Sequence, residues 1–167
     1  GLFHLINHAV FKSLLFLTSG SVEMSTGTRQ LKKLGGLSEK LPFTRTACTI
    51  ASASIAGIPP FNGFWSKAIL VFAAAQAGLW TLAAITILVS LVTLISFLKV
   101  QRYIFLGEIP TELEQTKETA GLPAFVSMAF LAGLCLLLGL LLTTDILDYA
   151  VATLTSGIEY SIKVAGM

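Results

Sequence analysis

His4, His8 and Lys12 follow one another at four-residue intervals within an otherwise apolar run. On an α-helix each such step turns the side chain by about 40° and lifts it by about 6 Å, so the three make one polar stripe. Asn7 flanks the stripe, and Ser13 and Ser19 add hydroxyls nearby. Imidazoles exchange protons near neutral pH. An amine half-way along an apolar helix costs a few kcal/mol to hold in lipid unless it meets water or a polar partner. The chemistry that suits this pattern is a hydrated proton relay. The structural alternative puts His4 at a membrane interface and has Lys12 merely bonding a neighbouring helix. For His4 taken singly the interfacial reading is preferred; for Lys12, the relay.

Lys67 is the second intramembrane candidate. It closes Asn62-Gly63-Phe64-Trp65-Ser66-Lys67, one to two turns after the centre of Gly57-Ile58-Pro59-Pro60-Phe61-Asn62-Gly63. Pro59 and Pro60 remove two backbone donors, and Gly57 and Gly63 relax the chain on either side, so no helix passes through unbroken. Interrupted helices are tolerated at membrane depth where they line a wet cavity or are buried in protein, and they recur at ion-coupling sites of transporters. The alternative is a lysine reaching for the headgroups, with Trp65 in the aromatic belt. The adjacent break favours the relay.

Such groups need apolar helices to hold them, and the composition supplies them. Of 167 residues 54% are hydrophobic and 12% charged, and the mean hydropathy is +0.82. A soluble domain carries about twice that charge and could not hide so much apolar surface in one small core. This excludes a soluble enzyme, a secreted disulfide scaffold and a nucleic-acid binder; eleven basic against nine acidic residues leave only +2. Cys48 and Cys135 lie in apolar runs with no metal-ligand spacing. The chain opens inside an apolar helix without the basic start or cleavage site of a signal peptide, and is expected to be part of something longer.

A hydrocarbon core of about 30 Å takes about 20 helical residues to cross. Residues 2–22, 79–106 and 122–142 qualify, and 42–76 qualifies only as a broken stretch. Arg29, Lys32, Lys33, Lys40 and Arg45 crowd one connection, and Lys99, Arg102 and Lys117 mark another. By the positive-inside rule both face the cytoplasm, so the chain between them crosses an even number of times. That selects a single discontinuous span over two short ones. The expectation is an all-α integral membrane protein of four transmembrane helices, the second discontinuous, with both termini on the outer side. Residues 1–144 form its membrane domain. In 145–167, Leu147, Val151, Leu154, Ile158 and Ile162 recur at helical spacing, giving an amphipathic C-terminal helix.

The other charges read as scaffold. Lys99 and Arg102 are topological anchors. Glu108, Glu112, Glu114 and Glu118 with Lys117 make a solvated acidic connection, occasionally a docking surface, and Glu23 beside the basic loop forms a surface salt bridge. No nucleophilic triad, phosphate loop, dinucleotide fingerprint or cysteine cluster is present, so no catalytic, metal-binding or cofactor-binding residue is expected in this chain.

Three segments together resemble one family. Residues 3–17 look like its HLxxHAxFKxLLFL helix. Leu34-Gly35-Gly36-Leu37 followed by Leu41-Pro42 resembles its GGLxxxxP loop, and Ala56-Gly57-Ile58-Pro59-Pro60-Phe61-Asn62-Gly63-Phe64-Trp65-Ser66-Lys67 resembles its broken helix. The family comprises the antiporter-like, proton-translocating subunits of respiratory complex I, the Mrp-type Na⁺/H⁺ antiporters and the membrane-bound hydrogenases. The resemblance covers about the first 107 residues and implies the last four of about fourteen core helices, which the family arranges as inverted repeats. It further implies that Lys12 is the central relay lysine, His4 and His8 its hydrated neighbours, and Lys67 the broken-helix lysine linked to the outward side. The expected function is proton (or Na⁺) translocation inside a larger complex, redox-driven or of the antiporter kind, with no covalent catalysis in this chain. The expected partners are other membrane subunits, including whatever supplies the remaining helices, and the lipid bilayer. The expected location is a prokaryotic cytoplasmic membrane or an equivalent energy-converting membrane. The runner-up is a non-conducting structural paralogue or split fragment filling a lateral position; a stand-alone antiporter ranks third.

Overall fold

The computed structural model describes residues 1–141, all helical or irregular, with no strand among them. The amphipathic helix expected over 145–167 lies outside the described residues. Five helices appear: α1 (Leu2–Thr26), α2 (Pro42–Ala56), α3 (Asn62–Gln76), α4 (Trp80–Phe105) and α5 (Leu122–Leu141). Of these, α1, α4 and α5 are long and apolar enough to cross a membrane. At 15 residues each, α2 and α3 reach only about 22 Å.

Local chemistry sets the boundaries of the middle pair. Pro42 occupies the first turn of α2, where its missing N–H has no helical partner to lose. The helix ends at Gly57, whose φ of 81° is left-handed and whose N–H returns to the Ala53 and Ser54 carbonyls. Pro59 and Pro60 then prevent resumption until Asn62.

Polar contacts give the register of α1 against both short helices. Ser21 Oγ lies 2.6 Å from Thr44 Oγ1 at the start of α2. Asn7 meets Asn62 at the start of α3, and His4 meets Ser66 one turn further on. Moving from residue 21 back to residue 4 along α1 therefore tracks forward from 44 to 66 along α2 and α3. α5 runs with α2: the Phe125 ring stands edge-on to Phe43, and Gly139 comes against the break. α2 sits among the others with Ala47, Cys48, Ala51, Ser52, Ser54 and Ala56 buried, small side chains that let neighbouring backbones approach.

Two apolar clusters result. Phe11, Leu14, Ala47, Ala51, Met128, Ala132 and Cys135 join α1, α2 and α5. Val22, Leu34, Leu37, Leu41, Ile104, Phe105 and Leu113 close the loop end. There the Gly36 and Leu37 N–H groups donate to the Leu106 and Ile104 carbonyls. Gly36 has φ +62°, and a Cβ on it would come within 2.8 Å of the Ile109 nitrogen. The paired glycines of that loop are thus a packing requirement, because the chain leaving α4 crosses directly over them.

Candidate functional site

The helix break is built from close approach. A Cβ on Gly63 would overlap the Ser54 carbonyl oxygen, and a Cβ on Gly139 would overlap that of Pro60. Only hydrogen-bearing Cα atoms let α3 and α5 press so tightly on the interrupted backbone. Gly57 opens the other side, where the Lys67 side chain passes it.

Lys67 reaches back across the break. Its Nζ donates to the Ile55 carbonyl at 2.7 Å and stands 3.5 Å from that of Ala56, both in the last turn of α2. These carbonyls lack complete helical partners and carry the negative end of the helix dipole, so they form a site for a cation. The half-buried ammonium is held there, folded back onto the end of α2. A cavity of about 330 Å³ beside it is lined by Gly57, Phe64, Lys67, Val71 and, from α4, Ser90.

His4 is joined to the same helix as Lys67. Its Nδ1 lies 3.0 Å from Ser66 Oγ, and Ser66 in turn donates to the Gly63 carbonyl at 3.1 Å. With the hydroxyl hydrogen committed to Gly63, the tautomer is assigned with the proton on Nδ1, leaving Nε2 open to accept one. The His8 ring centroid stands 6.1 Å from that of His4 and 5.4 Å from the Phe11 ring. Between these groups and the apolar cluster, Asn62 Nδ2 donates to Asn7 Oδ1 at 2.8 Å and Asn7 Nδ2 donates to the Phe3 carbonyl, both asparagines being fully buried.

Lys12 is placed differently. Its side chain is exposed on the described chain, and no hydrogen bond or ion pair among the described residues holds its ammonium. It lies in a groove of about 680 Å³ between α1, α2 and α4. Ile55, whose carbonyl accepts from Lys67, also lines that groove. The structure therefore brings His4, His8 and Lys67 into one neighbourhood and sets Lys12 apart, in a groove that Ile55 also lines.

Several partners escaped the sequence reading. Glu118 is no free member of an acidic loop: the Thr44 N–H donates to its Oε1 at 2.6 Å and the Phe43 N–H to its Oε2 at 3.4 Å. Its carboxylate thus caps α2 from 74 residues away, a helix that has no side-chain cap of its own. Gln101 Nε2 donates to Ser52 Oγ at 3.2 Å and Cys48 Sγ at 3.3 Å, tying α4 to α2. Neither sequence position carried a local signal. Asn7 and Asn62 did carry one, as buried-type polar residues beside the stripe and the break. Glu23 does pair at the surface, 2.7 Å from Arg29. Lys99 and Arg102 are exposed at the end of α4, Lys99 lying 5.8 Å from the Tyr103 ring centroid.

Fold and site together define an all-α integral membrane protein with ionisable groups gathered at a helix break. The transmembrane family described as NADH:quinone oxidoreductase/Mrp antiporter matches residues 1–93, and the chain belongs to it. It is 39% identical to Na(+)/H(+) antiporter subunit A1 of Staphylococcus aureus strain JH9, over 96% of this chain and 21% of that protein. The chain thus spans about a fifth of the curated relatives it matches. Among solved structures it superposes on the Mrp complex from Dietzia sp. DQ12-45-1b with a TM-score of 0.74 and 31% identity, covering 84% of this chain and 34% of that one. The archaeal membrane-bound sulfane sulfur reductase gives 0.78 and 35%, covering 83% and 23%. Respiratory complex I from Thermus thermophilus gives 0.66 and 28%, covering 83% and 31%. All three matches are chains of multi-subunit membrane complexes.

Proposed function

We propose that the chain is a proton-translocating portion of a multi-subunit ion-translocating membrane complex, and that it relays protons between Lys12 and Lys67 with His4 and His8 as hydrated neighbours. The observation that carries this reading is the double use of Ile55. Its carbonyl holds the Lys67 ammonium at 2.7 Å, while the same residue lines the groove that contains Lys12. Ile55 thus borders both the Lys67 site and the Lys12 groove. In this reading a charge on one amine disfavours a charge on the other, so loading Lys12 promotes release from Lys67. Sodium is the alternative ion, handled with neighbouring subunits; the lysines themselves favour protons.

In this reading α2 and α3 form a single discontinuous span, giving four spans. The support is the α1 register: His4 to Ser21 rises about 26 Å, close to a bilayer core, and that length is matched by α2 and the first turn of α3 laid end to end. The connections after α1 and α4 are cytoplasmic, from their basic residues. Other membrane subunits, and the helices this chain does not supply, cover the face carrying Lys12, in a prokaryotic cytoplasmic membrane or its equivalent.

Lys12→Ala and Lys67→Ala test the relay in vesicles carrying the complete complex. Each is expected to leave the amount of assembled complex near wild type and to cut ion transport about a hundredfold or more, the lower range for loss of a positioned proton-transfer group. Transport at the wild-type rate in both variants identifies a structural paralogue.

A further inference from the structure

We propose that Glu23 is the loop-side proton acceptor of the Lys12 groove, collecting protons from water at the membrane surface and passing them inward. This rests on the relay reading above. The groove runs along α1 from Lys12 past Thr18 and Ser19 to Glu23, and at its loop end takes in Thr28 and Arg29. Lys12, Ser19 and Glu23 are seven and four residues apart, steps that keep them within about 40° of one another on a helix. They prolong the stripe begun by His4 and His8, so the ionisable face of α1 runs nearly its whole length. Lys12 and Glu23 are separated by about 16 Å of helix rise.

Leu15, Phe16, Phe97 and Val100 form apolar walls, and Lys12, Thr18, Ser19, Glu23, Thr28 and Arg29 supply the polar groups of this groove. Its volume of about 680 Å³ has room for on the order of twenty waters at ~30 Å³ each. The Glu23 side chain is 40% exposed and the paired Arg29 82% exposed, so the carboxylate touches bulk water while its helical position opens into the groove. Arg29 anchors that carboxylate at the mouth and, being permanently protonated, relays no proton itself. The Glu23 carboxylate takes a proton from loop-side hydronium, leaving water. It gives that proton to a groove water, and the excess proton passes along the file to the Lys12 amine after that amine has handed its own proton on, with Glu23 restored as carboxylate.

The test uses vesicles carrying the full-length protein with its partner subunits, loop side facing the medium, with transport normalised to assembled complex. Glu23→Gln is expected to lower transport about a hundredfold, the low end for loss of a positioned proton-transfer group, whereas Glu23→Asp and Arg29→Gln retain most of it. Arg29→Gln breaks the same ion pair while keeping the carboxylate, so a purely structural ion pair predicts equal losses in Arg29→Gln and Glu23→Gln; that result overturns the proposal. Wild-type transport in Glu23→Gln alongside loss in Lys12→Ala also overturns it and leaves the relay reading standing. Wild-type transport in Lys12→Ala removes the relay reading itself. If Glu23→Gln does not assemble, the Arg29→Gln and Glu23→Asp pair decides: retained transport in both supports the proton acceptor, and loss in Arg29→Gln refutes it.

Discussion

The interrupted α2–α3 element and the continuous α4 lie against each other, yet they use their polar atoms in opposite ways. Along α4, Thr86, Ser90, Thr93 and Ser96 each donate to the carbonyl four residues earlier, at 2.7 to 2.8 Å. These hydroxyls are satisfied within the helix, and Gln101 near its end is the residue that reaches across to α2. Its exposed face is Leu, Ile and Val, including Leu82, Leu88, Val92 and Ile95, suited to lipid or to an apolar neighbour. Across the break, by contrast, the Ile55 carbonyl goes to Lys67, the Gly63 carbonyl to Ser66, and Asn62 to Asn7 on another helix. An unbroken helix closes its hydrogen bonds internally and leaves little with which to hold an ion. Interrupting it frees carbonyls, and glycines let the surrounding helices close over them.

The comparison is broken most forcefully at its tightest contact. Gly63→Ala drives a methyl group into the Ser54 carbonyl, and overpacking of this kind costs about 2–3 kcal/mol. A clear drop in the Tm of the solubilised complex is expected, with Gly139→Ala behaving alike at Pro60. Unchanged melting in both would mean that the break is not close-packed. Asn62→Leu comes next. It leaves the buried Asn7 carbonyl oxygen without its donor, for a loss of about 1 kcal/mol, the scale of interhelical hydrogen bonds in membranes. Denaturant titration should register it, and Asn7→Leu combined with Asn62→Leu should cost less than the sum of the two single changes. The smallest effect belongs to α4. Ser90→Ala removes a hydroxyl that bonds only within its own helix, so stability should stay within about 0.5 kcal/mol. Because Ser90 also lines the Lys67 cavity, a transport defect without a stability change would sharpen the comparison by giving α4 a part in the site.

The break itself was legible because its cause is local: Pro59 and Pro60 cannot donate, wherever the rest of the chain lies. The stripe was legible for a similar reason, since four-residue spacing fixes angular position on any helix. Glu118 was read as solvated because its neighbours in sequence are charged and polar, whereas its partners are the N–H groups of Phe43 and Thr44. Gly139 looked like an ordinary residue of an apolar helix, and only the position of the Pro60 carbonyl makes it necessary. Ser66 looked incidental until His4 came within 3.0 Å.

The sequence by itself determined the all-helical class, the family, the site of the interruption and which helix face carries the ionisable groups. These follow from hydropathy, spacing and backbone chemistry, all of which act over a few residues. Tertiary structure alone decided that Lys67 folds back onto the Ile55 carbonyl, that His4 meets Ser66, and that Lys12 opens into a separate groove. Those choices depend on how helices distant in sequence pack together, and one-dimensional periodicity contains no distance between faces.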